Sequence, residues 1–312
     1  FQGGIEYSNY KGICSPAYII LQPIAEIDRT FFKYYFKTPR YIKNLTKNLE
    51  GIRDGKMISF KYFSEAKLTF PSLPEQTRIA SFFTAIDQKL AQLKQKKTLL
   101  EQYKKGVMQK LFSQELRFKD ENGKEFPEWE EKKLGEISDL ITKGTTPSQF
   151  VEKGIKFIKI ECLEFDRINS EKCLFIDEKT HNKELKRSIL RKGDILFAIA
   201  GATIGKCVIV SNDILPANTN QALSIIRLKN DENRQFVYFI LKSFLMEKYI
   251  LDNISVGAQP NLNLEQINSF RFTLPNIGEQ NKIVDFLKTL DEKINHCQKQ
   301  IEQTEVWKKG LL

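Results

Sequence analysis

The sequence predicts an α+β protein in which a mixed helix-and-sheet unit occurs twice, with internal pseudo-twofold symmetry, and each copy ends in a long helix that pairs with the other as an antiparallel coiled coil. Three observations carry this expectation. The segment FPSLPEQTRIASFFTAIDQKL from Phe70 returns from Leu274 as LPNIGEQNKIVDFLKTLDEKI. A seven-residue apolar period follows each copy of the Glu-Gln pair. Between the copies lie short β-branched runs bounded by turn residues, the signature of a sheet.

The repeat orders the chain. Without a gap, Pro71 matches Pro275, Glu75-Gln76 matches Glu279-Gln280, Ile79 matches Ile283, Phe82 matches Phe286, Asp87 matches Asp291, and Lys104-Lys105-Gly106 matches Lys308-Lys309-Gly310. With one residue of slippage, Ala17–Leu21 aligns with Ala222–Ile226, and Phe32–Tyr35 with Phe236–Phe239. Phe1 aligns with Gly205, so the first copy is expected to lack the counterpart of Trp129 to Ile204.

The first long helix is expected over Glu75 to Ser113, about 58 Å at 1.5 Å per residue. Its seam runs through Ile79, Phe83, Ile86, Leu90, Leu93, Lys97, Leu100, Lys104, Val107 and Leu111. The second seam uses Ile283, Leu287, Leu290, Ile294, Cys297, Ile301, Thr304, Lys308 and Leu311. A sustained heptad calls for a partner helix and left-handed supercoiling. Pro74 is tolerated near a helix start, where Glu75 and Glu279 also meet the positive end of the dipole. Asn122-Gly123 marks a turn in the connector, after which strands are expected at Ile155–Ile160, Asp194–Ala200, Lys206–Val210, Ala222–Leu228 and Arg271–Leu274. One helix is expected over Arg234 to Asp252. The resulting domains are 1–73, helix 74–114, linker 115–128, second globular domain 129–278 and helix 279–312.

Composition narrows the function. A 41% hydrophobic content with 23 Phe supplies a packed core, and a formal charge of +10 with pI near 9.2 favours a polyanionic partner, nucleic acid first. An ordinary lysine-rich surface explains the charge equally well. No apolar run approaches the roughly 20 residues of a membrane span. Cysteines at 14, 162, 173, 207 and 297 form no CxxC pair, which suggests reduced thiols and a cytoplasmic setting. Only two histidines, His181 and His296, are present, and Glu161 and Glu164 are better explained as solvated loop residues than as a site, so no catalytic or metal-binding residues are assigned. The stretch GATIGK, residues 201–206, has one residue too few before its Gly-Lys for a phosphate-binding loop and is followed by Cys207 in a β-branched run. It is expected to be a tight turn between strands with Lys206 at its tip.

Several further stretches resemble the specificity subunit of type I restriction-modification systems. They are Phe126-Pro-Glu-Trp129 through Leu134-Gly135-Glu136-Ile137, then Lys143-Gly144-Thr145-Thr146-Pro147-Ser148, Lys192-Gly193-Asp194-Ile195-Leu196, Gly201 to Lys206, Asn220-Gln221-Ala222, and Gly257-Ala258-Gln259-Pro260-Asn261-Leu262. Taken in order and joined to the duplication, they span nearly the whole chain. The resemblance implies a non-catalytic DNA-specificity subunit with two target-recognition domains, each reading half of a split site in double-stranded DNA. It implies modification (methyltransferase) subunits that use S-adenosylmethionine on adenine N6, and restriction subunits that use ATP and Mg, as partners. No cofactor is expected in this chain.

Base edges require donors and acceptors of defined geometry, whereas phosphates need only cations and amides. The candidate DNA-binding residues are therefore Lys143, Thr145, Thr146 and Ser148 in one polar loop, Thr203 and Lys206 at the glycine turn, and Asn218, Asn220, Gln221, Gln259 and Asn261. Solvent turns, a structural hairpin and helix capping by Asn261 or Asn263 explain the same residues. Lys89 to Lys119 carries nine Lys or Arg against two Glu, a basic stretch consistent with solubility or with a partner. The resemblance implies that the conserved helices dock modification subunits, for which the apolar residues outside the seam, Phe82, Phe112 and Trp307, are the candidates; a place in the core explains Phe82 equally well. Two other classes remain: a coiled-coil protein-interaction scaffold, and a nucleotide-dependent enzyme built on residues 201–206.

Overall fold

The structure, a computed structural model, describes residues 5–8, 10–16, 18–46, 63–164, 166–254 and 260–312. It divides into two compact units, Phe1–Glu101 with Glu292–Leu312, and Gln102–Asp291.

In the first unit, α1 (Arg29–Tyr35) starts where Asp28 accepts hydrogen bonds from the backbone N–H groups of Thr30 and Phe31, both at 2.9 Å. Helix α2 (Pro39–Thr46) opens on a proline, the residue that loses least at that position. Phe31, Phe32, Tyr35 and Phe36 pack on Ile79 and Ala80 near the start of α3 (Leu73–Phe112). The heptad seam behaves as its spacing requires: Phe83, Ile86, Leu90 and Leu93 are buried with Tyr34, and with Cys297 and Ile301 from the last turns of α7 (Ile277–Leu311), the C-terminal helix. The two helices run antiparallel here, since Asp87 pairs with Lys308, Lys94 with Glu305, and the Cys297 thiol points to the Leu93 carbonyl.

Tyr18 to Leu21, aligned above with a strand, are exposed and form none. In the second unit the aligned strand is hydrogen-bonded on both sides, to the strands Ser138–Lys143 and Ile195–Ala198.

The second unit holds the sheets. Strands β1 (Glu130–Lys133), β2 (Ser138–Lys143), β3 (Ile155–Ile158), β4 (Leu163–Glu164), β5 (Arg167–Ile168), β6 (Leu174–Ile176), β7 (Ile195–Ala198), β8 (Cys207–Ile209), β9 (Ala217–Thr219), β10 (Leu223–Leu228) and β11 (Arg271–Leu274) form four sheets among the described residues. The principal one is antiparallel in the order β2-β10-β7-β8; a second, β6-β3-β9, is mixed, with β3 and β9 parallel. All five expected strands are present, Arg271–Leu274 with the expected bounds and the other four shortened at their ends. The helix expected over Arg234–Asp252 is instead two, α4 (Arg234–Leu241) and α5 (Phe244–Asn253), because the Ser243 hydroxyl caps the second by accepting from the Leu245 N–H. A short α6 (Leu264–Ser269) precedes β11.

One apolar core joins the sheet to the helices: Leu111, Phe112, Phe236, Phe239, Phe270 and Leu287 belong to it. Lys104 pairs with Asp291 at 2.5 Å, the repeat equivalent of the Lys308–Asp87 pair. The repeat extends to other contacts. Gln76 Nε2 donates to the Pro71 carbonyl at 2.8 Å and Gln280 Nε2 to that of Pro275 at 2.7 Å. Asn233 caps α4 as Asp28 caps α1.

The connector after α3 forms a strap over the start of α7. Arg117 reaches the fully buried Glu279 carboxylate through Nε (3.3 Å) and Nη2 (2.9 Å), and the indole N–H of Trp129 donates to the same group at 2.9 Å. Phe118 lies against Phe286, and Lys282 donates to the Lys119 carbonyl. No helix among the described residues is long and apolar enough to cross a membrane. All five cysteines are free thiols.

Candidate nucleic-acid interface

The register of the main sheet brings separate loops to one end. Lys143, the last residue of β2, lies opposite Ser224, and Ala198, the last of β7, opposite Leu223. The loop leaving β2, the turn leaving β7 and the segment entering β10 therefore emerge side by side. The first of these depends on Gly144: a Cβ there would stand 1.9 Å from the Thr219 carbonyl oxygen, so only glycine lets the backbone pass β9.

The polar loop is built as follows. Lys143, Thr145, Thr146 and Ser148 are all exposed. The Thr146 hydroxyl donates to Gln221 Oε1 at 2.6 Å, joining this loop to the segment before β10. Arg187 Nη2 donates to the Thr145 hydroxyl at 3.0 Å. Ser148 donates through its backbone N–H and hydroxyl to Glu184, at 2.9 and 3.1 Å. A carboxylate next to Ser148 repels a phosphate, so the cationic side of this patch is at Lys143 and Arg187.

The turn after β7 is a hairpin, as the sequence suggests: β7 and β8 pair antiparallel, and Gly201 and Gly205 adopt φ of 76° and 92°. Thr203 is exposed in the turn, beside exposed Ala202. Lys206 is not at the tip. It is half-buried at the mouth of the hairpin, where its carbonyl accepts from the Ala198 N–H at 2.8 Å, because the strand ladder continues past the last glycine. Asn261 is exposed and bridges to Ala200, bringing its segment beside this hairpin. The helix cap is Asn263, whose side chain accepts from Gln266 N–H while Gln266 Oε1 accepts from its own N–H. Gln259 lies outside the described residues.

Two further candidates are placed differently from expectation. Asn218 is fully buried in β9: its Oδ1 lies 2.5 Å from His181 Nδ1, and its Nδ2 donates to the Leu185 carbonyl and the Ser188 hydroxyl. A side chain whose hydrogen bonds are met inside the core has none left for a base. Asn220 is half-buried and caps its own turn by accepting from the Ala222 N–H. Of the three partner candidates, Phe112 is a core residue, 3% exposed, packed edge-on to Phe236, whereas Phe82 and Trp307 are 46% and 52% exposed with their rings 5.9 Å apart. Tyr103, the repeat counterpart of Trp307, is exposed as well.

Sequence reasoning missed Arg187, which has no motif around it. A link back to a recognised stretch exists only in three dimensions. Buried Asp194 of Lys192-Gly193-Asp194 accepts two hydrogen bonds from Arg227, at 2.8 and 2.7 Å, and one from the Arg191 N–H. Arg227 also reaches the Ile189 carbonyl, which ties the segment bearing Arg187 to the sheet.

Comparison with known proteins adds an independent line. The type I restriction modification DNA specificity domain matches residues 2–102 and again 127–305. The MjaVIII specificity subunit of Methanocaldococcus jannaschii is 30% identical over 97% of this chain, and the EcoBI specificity subunit of Escherichia coli 25% identical over 92%. The chain spans 73% of the first and 65% of the second, just under two thirds. Among solved structures, the HsdS subunit from Thermoanaerobacter tengcongensis overlays with a TM-score of 0.52 at 16% identity, covering 90% of this chain and 68% of that one. At that identity the likeness is one of fold.

Proposed function

The chain belongs to the type I restriction modification DNA specificity family, and from that membership we propose that it reads one half of a bipartite site in double-stranded DNA through the loop end of the β2-β10-β7-β8 sheet. The observation that carries this reading is the convergence there of Lys143, Thr145, Thr146 and Gln221 with Arg187, exposed donors and acceptors on loops tied to one another by hydrogen bonds at the end of the sheet. Fixed groups of this kind suit base edges, where a bidentate pair contributes about 1–3 kcal/mol of discrimination. Thr203, Lys206 and Asn261 flank this group and suit backbone contact, whereas Ser148 is held by Glu184.

In this reading the chain supplies address and no chemistry. The methyl donor S-adenosylmethionine, and ATP with Mg, belong to modification and restriction subunits that assemble on it. Trp307, with Val306 beside it and Phe82 against it, offers the exposed apolar surface for a modification subunit; a pull-down with that subunit loses yield after Trp307→Ala.

Methylome sequencing of cells with and without the gene tests the central reading. A split adenine motif disappears with the gene, and Arg187→Ala alters or relaxes one half of that motif while leaving the other half intact. An unchanged methylome on deletion refutes the assignment. Unchanged sequence preference in both Arg187→Ala and Thr145→Ala moves the reading surface elsewhere.

A further inference from the structure

Residues Thr180–Ser188 lie against the polar loop that leaves β2 and do not form a regular helix. Thr180–Glu184 make a single π turn, in which the Leu185 N–H donates to the Thr180 carbonyl at 2.8 Å, and Lys186–Ser188 make a 3-10 turn. Their side chains sort onto separate faces. His181, Leu185 and Ser188 are buried, and Asn218 holds all of them, through the imidazole, the carbonyl and the hydroxyl respectively. Thr180 is buried too, and Asp177 accepts from its N–H and its hydroxyl at 2.8 and 3.1 Å. Glu184 and Arg187 turn to the loop, where they meet Ser148 and Thr145. Asn182, Lys183 and Lys186 are left on the outside. They are exposed, and among the described residues their side chains make no hydrogen bond or ion pair. Exposed cations elsewhere in the same unit do find carboxylates: Lys172 pairs with Glu164, Lys132 with Glu130 and Arg271 with Glu131. Here the one carboxylate of the segment, Glu184, is engaged with Ser148, so the outer face is cationic.

We propose that this turn is the part of the domain that enters the major groove, with Lys183 and Lys186 donating to guanine edges, so that the half-site it reads contains G·C pairs at those positions. The major groove is about 12 Å wide and admits one helical element. A lysine carries donors and no acceptor, and guanine O6 and N7 are the adjacent acceptors it fits there. Contact with phosphates needs only a cation, whereas base reading needs a backbone held in place, which the buried Asn218 contacts supply. Glu184, between the two lysines, points the same way: a carboxylate is repelled by phosphates but tolerated over base edges, where cytosine N4 is a donor. Asn218 fixes the turn and the outer side chains choose the base, so Asn218 governs stability and the lysines govern preference. The proposal rests on the DNA-reading function given above and names the residues that select the sequence.

The test is the methylome of cells that express the full chain with its modification subunits, as wild type or with Lys183→Ala, Lys186→Ala or Lys186→Arg. Each alanine variant should relax one G·C pair in one half of the split motif, raising methylation at sites altered in that pair about tenfold relative to matched sites. Lys186→Arg keeps the donors and should leave that pair intact. Thermal unfolding of the purified variants should match wild type, as befits exposed positions, which separates loss of reading from loss of fold. An unchanged motif in both alanine variants overturns the proposal, and so does relaxation at an A·T pair. Weaker methylation spread evenly over all sites, with a flatter salt dependence of DNA binding, overturns it by placing the lysines on phosphates. Its failure is distinct from that of the reading beneath it. If deletion of the gene removes the motif and Arg187→Ala relaxes one half while both lysine variants change nothing, the loop reads DNA and this turn does not; if deletion leaves the methylome unchanged, both fall.

Discussion

Glu279→Ala is the substitution whose effect the structure defines most sharply. The carboxylate is fully buried and receives two hydrogen bonds from Arg117 and one from the Trp129 indole. Removing it strands a guanidinium whose side chain is 19% exposed and an indole N–H that is buried. Breaking a buried pair from one side costs about 3–5 kcal/mol. Arg117 keeps its bonds to the Phe126 and Pro127 carbonyls, at 3.0 and 2.6 Å, which sets the expectation at the low end, about 3 kcal/mol. Glu75→Ala is the internal control: the same residue type at the same repeat position, but exposed, with an expected cost within about 0.5 kcal/mol. Urea unfolding followed by far-UV circular dichroism measures both. A gap of about 2.5 kcal/mol should separate them, mostly as a shift in midpoint at constant m-value. Equal losses would show that the strap does not hold α7 and would refute the argument from buried pairing.

Three further outcomes follow from particular contacts. Gly144→Ala must displace either its loop or β9, since the added Cβ falls 1.9 Å from the Thr219 carbonyl oxygen; a stability loss of at least about 1–3 kcal/mol with loss of DNA binding is expected, and a binding curve like wild type would show that the loop tolerates movement. Asn218→Ala leaves the Ser188–His181 pocket unsatisfied and should cost about 1–3 kcal/mol in thermal or urea unfolding without changing sequence preference. The Asp87 carboxyl is raised by burial, but hydrogen bonds from Lys308 and Tyr34 outweigh this and hold it below its ordinary value. Its folded pKa is therefore below its unfolded one, so its contribution is present above about pH 4 and is lost as pH falls through the folded value. Asp87→Asn should flatten the acid limb of stability against pH, and an unchanged limb would show that the pair contributes nothing measurable.

Much of this architecture was legible because it depends on period. The heptad seam from Ile79 to Leu111 and the β-branched runs around Ile195 and Ile225 state their buried faces directly, and the repeat supplied the pairing of the helices. Expectation failed where a single hydrogen bond decides the outcome. Ser243 divides one apolar periodic stretch into two helices by capping α5. Tyr18 to Leu21 have strand composition but pair with no strand among the described residues. At the site, the loop of Lys143 to Ser148 and the hairpin were visible from Gly and Thr patterns. Burial of Asn218 was not, because its partners His181, Leu185 and Ser188 are more than two dozen positions away, and Arg187 reaches Thr145 only through the fold. Asparagine at a strand end reads the same on paper whether it faces water or a core.

The Cys297 thiol touches the carbonyl of Leu93, and those two positions are counterparts in the duplicated sequence. Elsewhere a contact such as Asp87 with Lys308 has a twin, Lys104 with Asp291, so either version can drift while the other preserves the design. Where a residue meets its own relative there is no spare. Before the halves diverged, whatever stood there faced itself, and a charge would have opposed an identical charge inside an apolar seam; a small or aliphatic side chain is what that ancestry permits, and Leu and Cys are what it left.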